Sequence, residues 1–195
     1  MQKLILASAS PQRKRLLQGL ELDFTVIPSN FNEAEYVESD AAQRAQHLAR
    51  LKAQDVAQGD PDAFVIGCDT LVVSPLGELY EKPETPADAE RMLRSYNGKA
   101  CTVHSGLCIV APGGKTFEGV SSSSVHFKKL TDTDLAWWIS TGLWQDRSGA
   151  FQIDGPGQLL IEHLEGDWSS VVGLPVFLLG KLLEESGYPT SSVNG

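Results

Sequence analysis

Residues 4–17 read LILASASPQRKRLL, and this stretch carries the signals of a strand that leads directly into a helix. The apolar run ends at Ser8 and Ser10, and Ser10 stands where a side chain caps a helix that Pro11 begins. The two hydroxyls, the free N–H groups of the first turn and Arg13 would then converge at the positive end of the helix dipole, which suits a phosphate. An ordinary capped helix with a solvated basic face explains the same residues, so the rest of the chain has to decide.

The composition indicates one globular domain that handles a small ligand. The chain has 195 residues, of which 42% are hydrophobic, enough for one substantial core. The net charge of -9 argues against a protein that coats nucleic acid, because such proteins carry excess Lys and Arg, so an anionic ligand needs a local basic cluster. We predict a single domain over residues 1–188, a flexible tail at 189–195, and no nucleic acid polymer as partner.

The cysteines, the apolar runs and the histidines restrict the class of protein further. The three cysteines form an odd set without C-x-x-C spacing, which predicts a reduced, cytoplasmic protein. No apolar run approaches the roughly 18 residues of a membrane span, so no membrane partner is expected. The four histidines share no metal-ligand spacing along the chain, which argues against a zinc site.

The remaining patterns predict alternating strands and helices, and hence an α/β fold. Apolar runs between turn residues predict strands at 23–27, 63–73, 78–80, 101–111, 115–127, 159–163 and 170–172. Helical spacing with capping residues predicts helices at 40–58, at 87–96, from 131 onward and at 176–185.

Two charged residues interrupt apolar patterns. Lys52 falls in the apolar stripe of the helix at 40–58, either as a side chain that snorkels at the edge of the core or as a cation delivered into a cleft. Asp69 lies in the middle of the most apolar strand, where burial without a partner would cost several kcal/mol, so it should face a cation, a metal or water. Asp69 is therefore a catalytic candidate, with a structural ion pair as the alternative.

A polar, glycine-rich segment, DRSGAFQIDGPG, occupies residues 146–157. It lacks the G-x-G-x-x-G spacing, and G-x-x-x-x-G-K-[ST] does not occur in the chain, so dinucleotide-binding and P-loop sites are excluded. Lys82 is a second cation near the end of a predicted strand.

Several separate stretches together resemble the Maf family of nucleoside triphosphate pyrophosphatases, which is related in fold to the inosine triphosphate pyrophosphatases. Each is weak alone, but they occur in family order along most of the chain. They are SASPQR at 8–13, Glu33, LKA at 51–53, GCDT at 67–70, EKP at 81–83, SGAF with DGPG within 148–157, and VVGLP at 171–175.

The resemblance implies an elongated twisted mixed β-sheet flanked by helices, with a cleft between two lobes. It also implies hydrolysis of the α–β phosphoanhydride of a nucleotide to the monophosphate and pyrophosphate, with a divalent cation such as Mg²⁺ or Mn²⁺, and a homodimer. By position, Asp69 is the base that activates water and also a metal ligand, and Glu33 is a metal or water partner. The implied substrate-binding positions are Ser8, Ser10, Arg13, Lys52 and Lys82.

The resemblance also implies that three further positions determine which nucleotide base is recognised. Members resembling dTTP/UTP pyrophosphatases carry Arg, Thr and Gln there, whereas members resembling 7-methyl-GTP pyrophosphatases carry Trp, Gln and Glu. This chain has Gln12, Thr70 and Asp154, so Thr70 matches the first group, Gln12 neither, and Asp154 supplies a carboxylate as in the second. We predict a lean towards dTTP, UTP or modified nucleotides.

Two other functions would use the same residues. A non-enzymatic nucleotide-binding regulator of growth or division would bind without turnover, and a phosphomonoesterase would release orthophosphate instead of pyrophosphate. Asp69 with Lys52 and Lys82 favours an enzyme over a sensor, because a pure sensor has no need of a base that activates water.

Overall fold

A computed structural model of the chain describes residues 2–33, 36 and 38–189, which contain seven strands and six α-helices. The strands are β1 (Leu4–Leu6), β2 (Thr25–Val26), β3 (Phe64–Val73), β4 (Leu79–Tyr80), β5 (Ala100–Val110), β6 (Thr116–Phe127) and β7 (Ile161–Glu165). The helices are α1 (Pro11–Gln18), α2 (Ala41–Ala57), α3 (Pro86–Ser95), α4 (Asp132–Thr141), α5 (Trp168–Val172) and α6 (Val176–Ser186), with 3₁₀ turns at Ser148–Ala150 and Pro156–Leu160. Positions 190–195 of the predicted tail lie outside the described residues. Within the described residues no helix is both long and apolar enough to cross a membrane.

All seven strands belong to one mixed sheet with the order β2-β1-β3-β5-β6-β7, and β4 pairs with β3. β1 runs parallel to β2 and to β3, with Leu6 opposite Ile66, whereas β4 and β7 run antiparallel to their neighbours. The predicted fold class, a mixed β-sheet flanked by helices in an α/β chain, is confirmed.

The first of two compact units comprises described residues within 1–69, 105–121 and 173–195. Its parallel strands β1 and β3 are buried on both faces, which explains why they read as continuous apolar runs. Alternate residues of these strands enter two different apolar clusters. Leu6 and Ile66 pack with α1 and α6, while Ile5 and Val65 pack with the alanines of α2.

Helix α2 approaches the strands of this unit unusually closely, at two glycines. A Cβ on Gly67 would lie 2.1 Å from the carbonyl oxygen of Ala49, and one on Gly106 would lie 2.1 Å from that of Ala45. Only glycine permits such contact, since a methyl group would overlap the helix backbone. The buried face of α2 therefore rests directly on β3 and β5, and it includes Lys52.

The second compact unit comprises residues 70–104 and 122–172. Aromatic side chains fill its core, and Tyr96 stacks on Phe127 with ring centroids 4.5 Å apart. The Tyr96 hydroxyl donates to the carbonyl of Gly149 at 3.0 Å, and Trp138 Nε1 donates to that of Ala150 at 2.8 Å. These two bonds hold the glycine-rich segment, where Gly149 adopts a positive φ of 73°.

Two predicted strands differ from the structure. The strand predicted at 170–172 is wrong, because this segment lies in the short helix α5. The Asp167 carboxylate accepts hydrogen bonds from the backbone N–H (2.8 Å) and hydroxyl (2.6 Å) of Ser169, and this local cap overrides the strand preference of the valines. The strand predicted at 159–163 begins later, at Ile161, since Pro156 starts a 3₁₀ turn that ends at Leu160.

The cysteines behave as small core residues. Cys68, Cys101 and Cys108 are all buried, and none of them forms a disulfide bond. Burial raises the pKa of the thiols of Cys101 and Cys108 to about 12. Both are therefore thiols, and weak nucleophiles, at neutral pH.

Candidate active site

The candidate site in the first unit begins where the parallel strands β1 and β3 separate. Leu6 and Ile66 form the last register pair of these strands, and the chain continues to Ser8 on one side and to Asp69 on the other. Ligands of α/β sheets bind beyond the carboxyl ends of parallel strands, where backbone pairing ends and side chains become available. Strand pairing thus brings the two predicted site segments together.

Lys52 lies between two carboxylates. Its Nζ is 2.5 Å from Oδ1 of Asp69 and 2.9 Å from Oε1 of Glu33. The side chains of Lys52 and Asp69 are only 11% and 7% exposed, while that of Glu33 is 51% exposed. The ammonium group therefore does not snorkel to water. It balances the buried Asp69 charge that the sequence had placed in an apolar strand.

The second oxygen of Asp69, Oδ2, has no hydrogen-bond partner among the described residues, although it is buried. A buried carboxylate oxygen without a partner is costly, so such an atom indicates a place for a water, a proton or a cation. The ion pair with Lys52 and a catalytic role for Asp69 are therefore compatible, because each uses a different oxygen of the same carboxylate.

Arg13 connects the start of α1 to another part of this unit. Its Nε donates to the carbonyl of Gly173 at 2.9 Å, and its Nη1 donates to Oγ of Ser8 at 3.2 Å. The backbone N–H of Ser10 donates to the same Ser8 oxygen at 3.2 Å. The serine and arginine positions predicted to bind phosphate are thus brought together.

The helix cap predicted at Ser10 is also present. Its Oγ accepts from the backbone N–H of Arg13 at 3.4 Å, and its hydroxyl donates to Oε1 of Gln12 at 3.0 Å. The helix cap and the cluster of polar groups therefore occur in the same turn. The sequence had offered a capped helix and a phosphate site as alternatives, but the two are compatible.

Sequence reasoning did not assign the Gly173 carbonyl a role. Besides Arg13, this oxygen accepts from the thiol of Cys68 at a sulfur–oxygen distance of 2.9 Å. Gly173 has a φ of 128°, a backbone conformation that favours glycine. The glycine of the VVGLP stretch indicates an unusual backbone conformation at this position. It does not indicate which side chains donate hydrogen bonds to the carbonyl.

The other predicted positions belong to the second unit. Thr70 directly follows Asp69 in β3 and is the first residue of that unit. Lys82 is 63% exposed, and its Nζ lies 4.0 Å from Oδ1 of Asp146. Asp154 accepts from Nη1 of Arg147 at 3.2 Å, and the two side chains are only 9% and 19% exposed. Sequence reasoning had assigned no role to Arg147, because no local pattern indicates its partner.

The first unit offers oxygen ligands for a divalent cation. In residues 2–33, 36 and 38–189 no three His, Cys, Asp or Glu side chains already form a metal-binding group. Mg²⁺ usually binds one or two carboxylates, with substrate phosphates and waters as its other ligands. The buried carboxylate of Asp69 and the half-exposed carboxylate of Glu33 fit that requirement.

Comparisons with known proteins give concordant results. The family model described as Maf-like protein matches residues 3–186. A dTTP/UTP pyrophosphatase of Moorella thermoacetica is 44% identical over 186 residues, which cover 94% of each chain. A dTTP/UTP pyrophosphatase of Pyrococcus furiosus is 40% identical over 184 residues, which cover 94% of this chain and 95% of that relative.

A solved structure supports the fold independently. The structure of a HAM1 protein from Coxiella burnetii matches 95% of this chain and 100% of its own, with a TM-score of 0.50 and 13% sequence identity. At that identity the likeness concerns the fold alone.

Proposed function

Because the chain belongs to the Maf family, we propose that it hydrolyses nucleoside triphosphates to the monophosphate and pyrophosphate, with a preference for dTTP and UTP. The observation that carries the proposal is Asp69, a buried carboxylate whose Oδ1 is held by Lys52 and whose Oδ2 has no partner in the described part of the chain. The names of the relatives support the nucleotide and the bond that is broken.

Asp69 is the proton acceptor in the proposed reaction. Its Oδ2 takes a proton from water as the water oxygen attacks the α-phosphorus, and the bond from that phosphorus to the bridging oxygen breaks. Pyrophosphate leaves with the electron pair of the broken bond. Lys52 orients the carboxylate through Oδ1, so that Oδ2 remains available.

Positive charge and N–H groups stabilise the leaving pyrophosphate, whose negative charge grows in the transition state. Ser8, Ser10 and Arg13 present hydroxyl and guanidinium donors beside the first turn of α1. Lys52 and Lys82 supply the ammonium groups of the proposed substrate site. These groups are local cations in a chain with a net charge of -9.

Asp69 and Glu33 are the residues that would hold Mg²⁺ or Mn²⁺. When bound, the cation would neutralise charge on the phosphate oxygens. Lys52 forms ion pairs with both carboxylates, so the ammonium group and the cation would have to share them.

Gln12, Thr70 and Asp154 are the proposed specificity positions. Thymine and uracil present one donor, N3–H, between carbonyl acceptors. The Asp154 carboxylate can accept from such a donor, while Arg147 balances its charge. A carboxylate on this short arm is therefore compatible with a pyrimidine base.

The decisive experiment incubates the protein and Mg²⁺ with dTTP, UTP, CTP and methylated nucleotides, and measures pyrophosphate and orthophosphate separately. We expect pyrophosphate, formed fastest from dTTP or UTP. Orthophosphate as the first product would indicate a phosphomonoesterase instead. Tight nucleotide binding without any product would indicate a regulator.

The proposal includes a homodimer in the cytoplasm, with a small-molecule nucleotide as the substrate. Sedimentation equilibrium of the intact protein measures the oligomeric state directly. A monomer at the concentration used for the assay would contradict the dimer and leave the proposed reaction intact.

A further inference from the structure

The segment between β2 and α2 carries Glu33 and contacts α2 at several points, all within the first unit. Near its start, the Ser29 hydroxyl and the Asn30 backbone N–H both donate to Oδ2 of Asp55, each at 2.8 Å. Further along the segment, Oε1 of Glu33 pairs with Nζ of Lys52. The carboxylate of Asp55 therefore binds the segment to α2 before it reaches Glu33.

Tyr36 makes the next contact of this segment with α2. Its hydroxyl donates to Nδ1 of His47, and its ring meets the imidazole edge-on, with centroids 5.8 Å apart and an interplanar angle of 85°. The backbone N–H of Tyr36 donates to the carbonyl of Glu33 at 3.1 Å. Tyr36 is thus bound to α2 through its side chain and to Glu33 through its backbone.

The order of these contacts shows how the segment runs along the helix. Residues 29–30, 33 and 36 meet α2 at Asp55, Lys52 and His47 in turn, so the segment runs antiparallel to the helix. Glu33 lies three residues from the contact on either side. Its backbone is therefore fastened to α2 both before and after the carboxylate.

The ion pair with Lys52 alone would hold Glu33 weakly. The Glu33 side chain is 51% exposed, and ion pairs open to solvent contribute little, because water competes and ordering long side chains costs entropy. Tyr36, His47 and Asp55 are partly buried, so their hydrogen bonds face less competition from water. The contacts on the two sides restrict the backbone from which the Glu33 carboxylate projects.

We infer that Asp55 and His47, the latter through Tyr36, are positioning residues that hold the Glu33 carboxylate beside Lys52. The inference rests on the proposed function, in which Glu33 is a ligand of the divalent cation. A carboxylate that is already held in place loses little conformational freedom when a cation binds, and the affinity for the cation is higher as a result.

The test measures Mn²⁺ binding to the intact protein without nucleotide, from the electron paramagnetic resonance signal of free Mn²⁺. Tyr36→Phe, His47→Ala and Asp55→Ala should each weaken the Mn²⁺ affinity by about threefold or more. Asp55→Asn should retain most of the affinity, because its amide oxygen still accepts hydrogen bonds.

Two matched controls change similar side chains in the same unit. Tyr188→Phe removes the hydroxyl of a tyrosine whose ring packs on Phe64, and Gln54→Ala changes an exposed position of α2 beside Asp55. Neither control should change the Mn²⁺ affinity.

A double variant separates positioning from a general effect on folding. Glu33→Gln should weaken Mn²⁺ binding by about tenfold, and the addition of Tyr36→Phe should cause no further loss, because no carboxylate remains to be positioned. In the assay with dTTP, Tyr36→Phe should raise the half-saturating Mg²⁺ concentration by about threefold or more and change kcat by a smaller factor.

Equal Mn²⁺ affinities in Tyr36→Phe and Tyr188→Phe would overturn the inference. An additive loss in the double variant, or an unmodified protein that binds no Mn²⁺, would also overturn it. Absence of pyrophosphate release from the unmodified protein would instead refute the proposed reaction, and the Mn²⁺ titration would still decide the role of these residues.

Discussion

At the scale of single residues, the two oxygens of Asp69 have different surroundings. Lys52 binds Oδ1, and Oδ2 is buried without a partner among the described residues. A structural ion pair alone would have no reason to leave one oxygen unsatisfied, because that arrangement costs free energy of folding. The asymmetry fits a residue that must accept a proton.

We expect Asp69→Asn to lower kcat for pyrophosphate release by about 100-fold or more, since an amide cannot act as the base. The fold should be retained, because the side-chain shape is unchanged and Glu33 still pairs with Lys52. Asp60→Asn is the matched control, as its carboxylate pairs with Lys3 in the same unit. Turnover in Asp69→Asn close to that of Asp60→Asn would place the base elsewhere.

Lys52→Met should reduce the free energy of unfolding by about 3–5 kcal/mol, because it leaves a buried carboxylate without its cation. Lys181→Met, at an exposed pair with Glu185, should cost less than about 1 kcal/mol. Urea unfolding of both variants measures the difference.

The double variant Lys52→Met with Asp69→Asn should recover part of the lost stability, since no unpaired charge then remains buried at this pair. Equal losses of unfolding free energy in Lys52→Met and Lys181→Met would show that the buried ion pair contributes no more to stability than the exposed one.

At the scale of elements, the position of α2 decides whether the site exists. Gly67 lets the helix backbone at Ala49 and the side chain of Ala53 lie directly on β3. Lys52 stands between these two alanines in sequence, and Asp69 stands two residues beyond Gly67. The contact between helix and strand therefore sets the distance between ammonium and carboxylate.

Gly67→Ala should destabilise the protein by about 3 kcal/mol or more and abolish activity, because its Cβ would meet backbone atoms that cannot move independently. Gly180→Ala is the matched control in α6, where nothing lies within 4 Å of the added Cβ. That change should stabilise by up to about 1 kcal/mol, as alanine favours helices. Thermal unfolding distinguishes them, and comparable melting temperatures would contradict the close approach.

Helix α4 has a cap whose strength depends on pH. Thr131 and Asp134 form a reciprocal capping box, and the hydrogen bond from the Thr131 backbone, with Lys128 nearby, lowers the pKa of Asp134 from 3.8 to about 2. Because the folded-state pKa lies below the unfolded one, the cap contributes above about pH 4 and is lost as the pH falls towards 2.

We expect Asp134→Ala to cost about 1 kcal/mol at pH 7 and progressively less between pH 4 and pH 2. Urea unfolding at several pH values measures this dependence. The control Asp132→Ala removes an exposed carboxylate from the same turn, and its cost should vary less over this range. A cost for Asp134→Ala that is constant with pH would refute the role of its ionised form.

At the scale of the whole molecule, the net charge of -9 opposes association with nucleic acid polymers. We expect no shift of duplex DNA or single-stranded RNA in a native gel at physiological salt, while dTTP binds in the same buffer. The inactive Asp69→Asn variant serves for the dTTP measurement. A salt-dependent shift of either polymer would show that a basic surface outweighs the total charge.

The sequence by itself determined the elements and the type of site. The cap at Ser10, the lysine in an apolar helical stripe and the carboxylate in an apolar strand are local patterns, each written in a few consecutive residues. These features can be predicted from the sequence because hydrophobic periodicity and helix capping depend on residues within one or two turns of each other. Where a local cap competed with strand preference, at α5, the prediction failed.

Only the tertiary structure decided which groups meet. The ion pair of Lys52 with Asp69, and the Gly173 carbonyl that Arg13 and Cys68 share, join residues that lie on separate parts of the chain. Their distances depend on strand register and on how closely a helix can approach a glycine, and neither is encoded by spacing along the chain. Partners are selected by packing, and packing is a property of the folded chain.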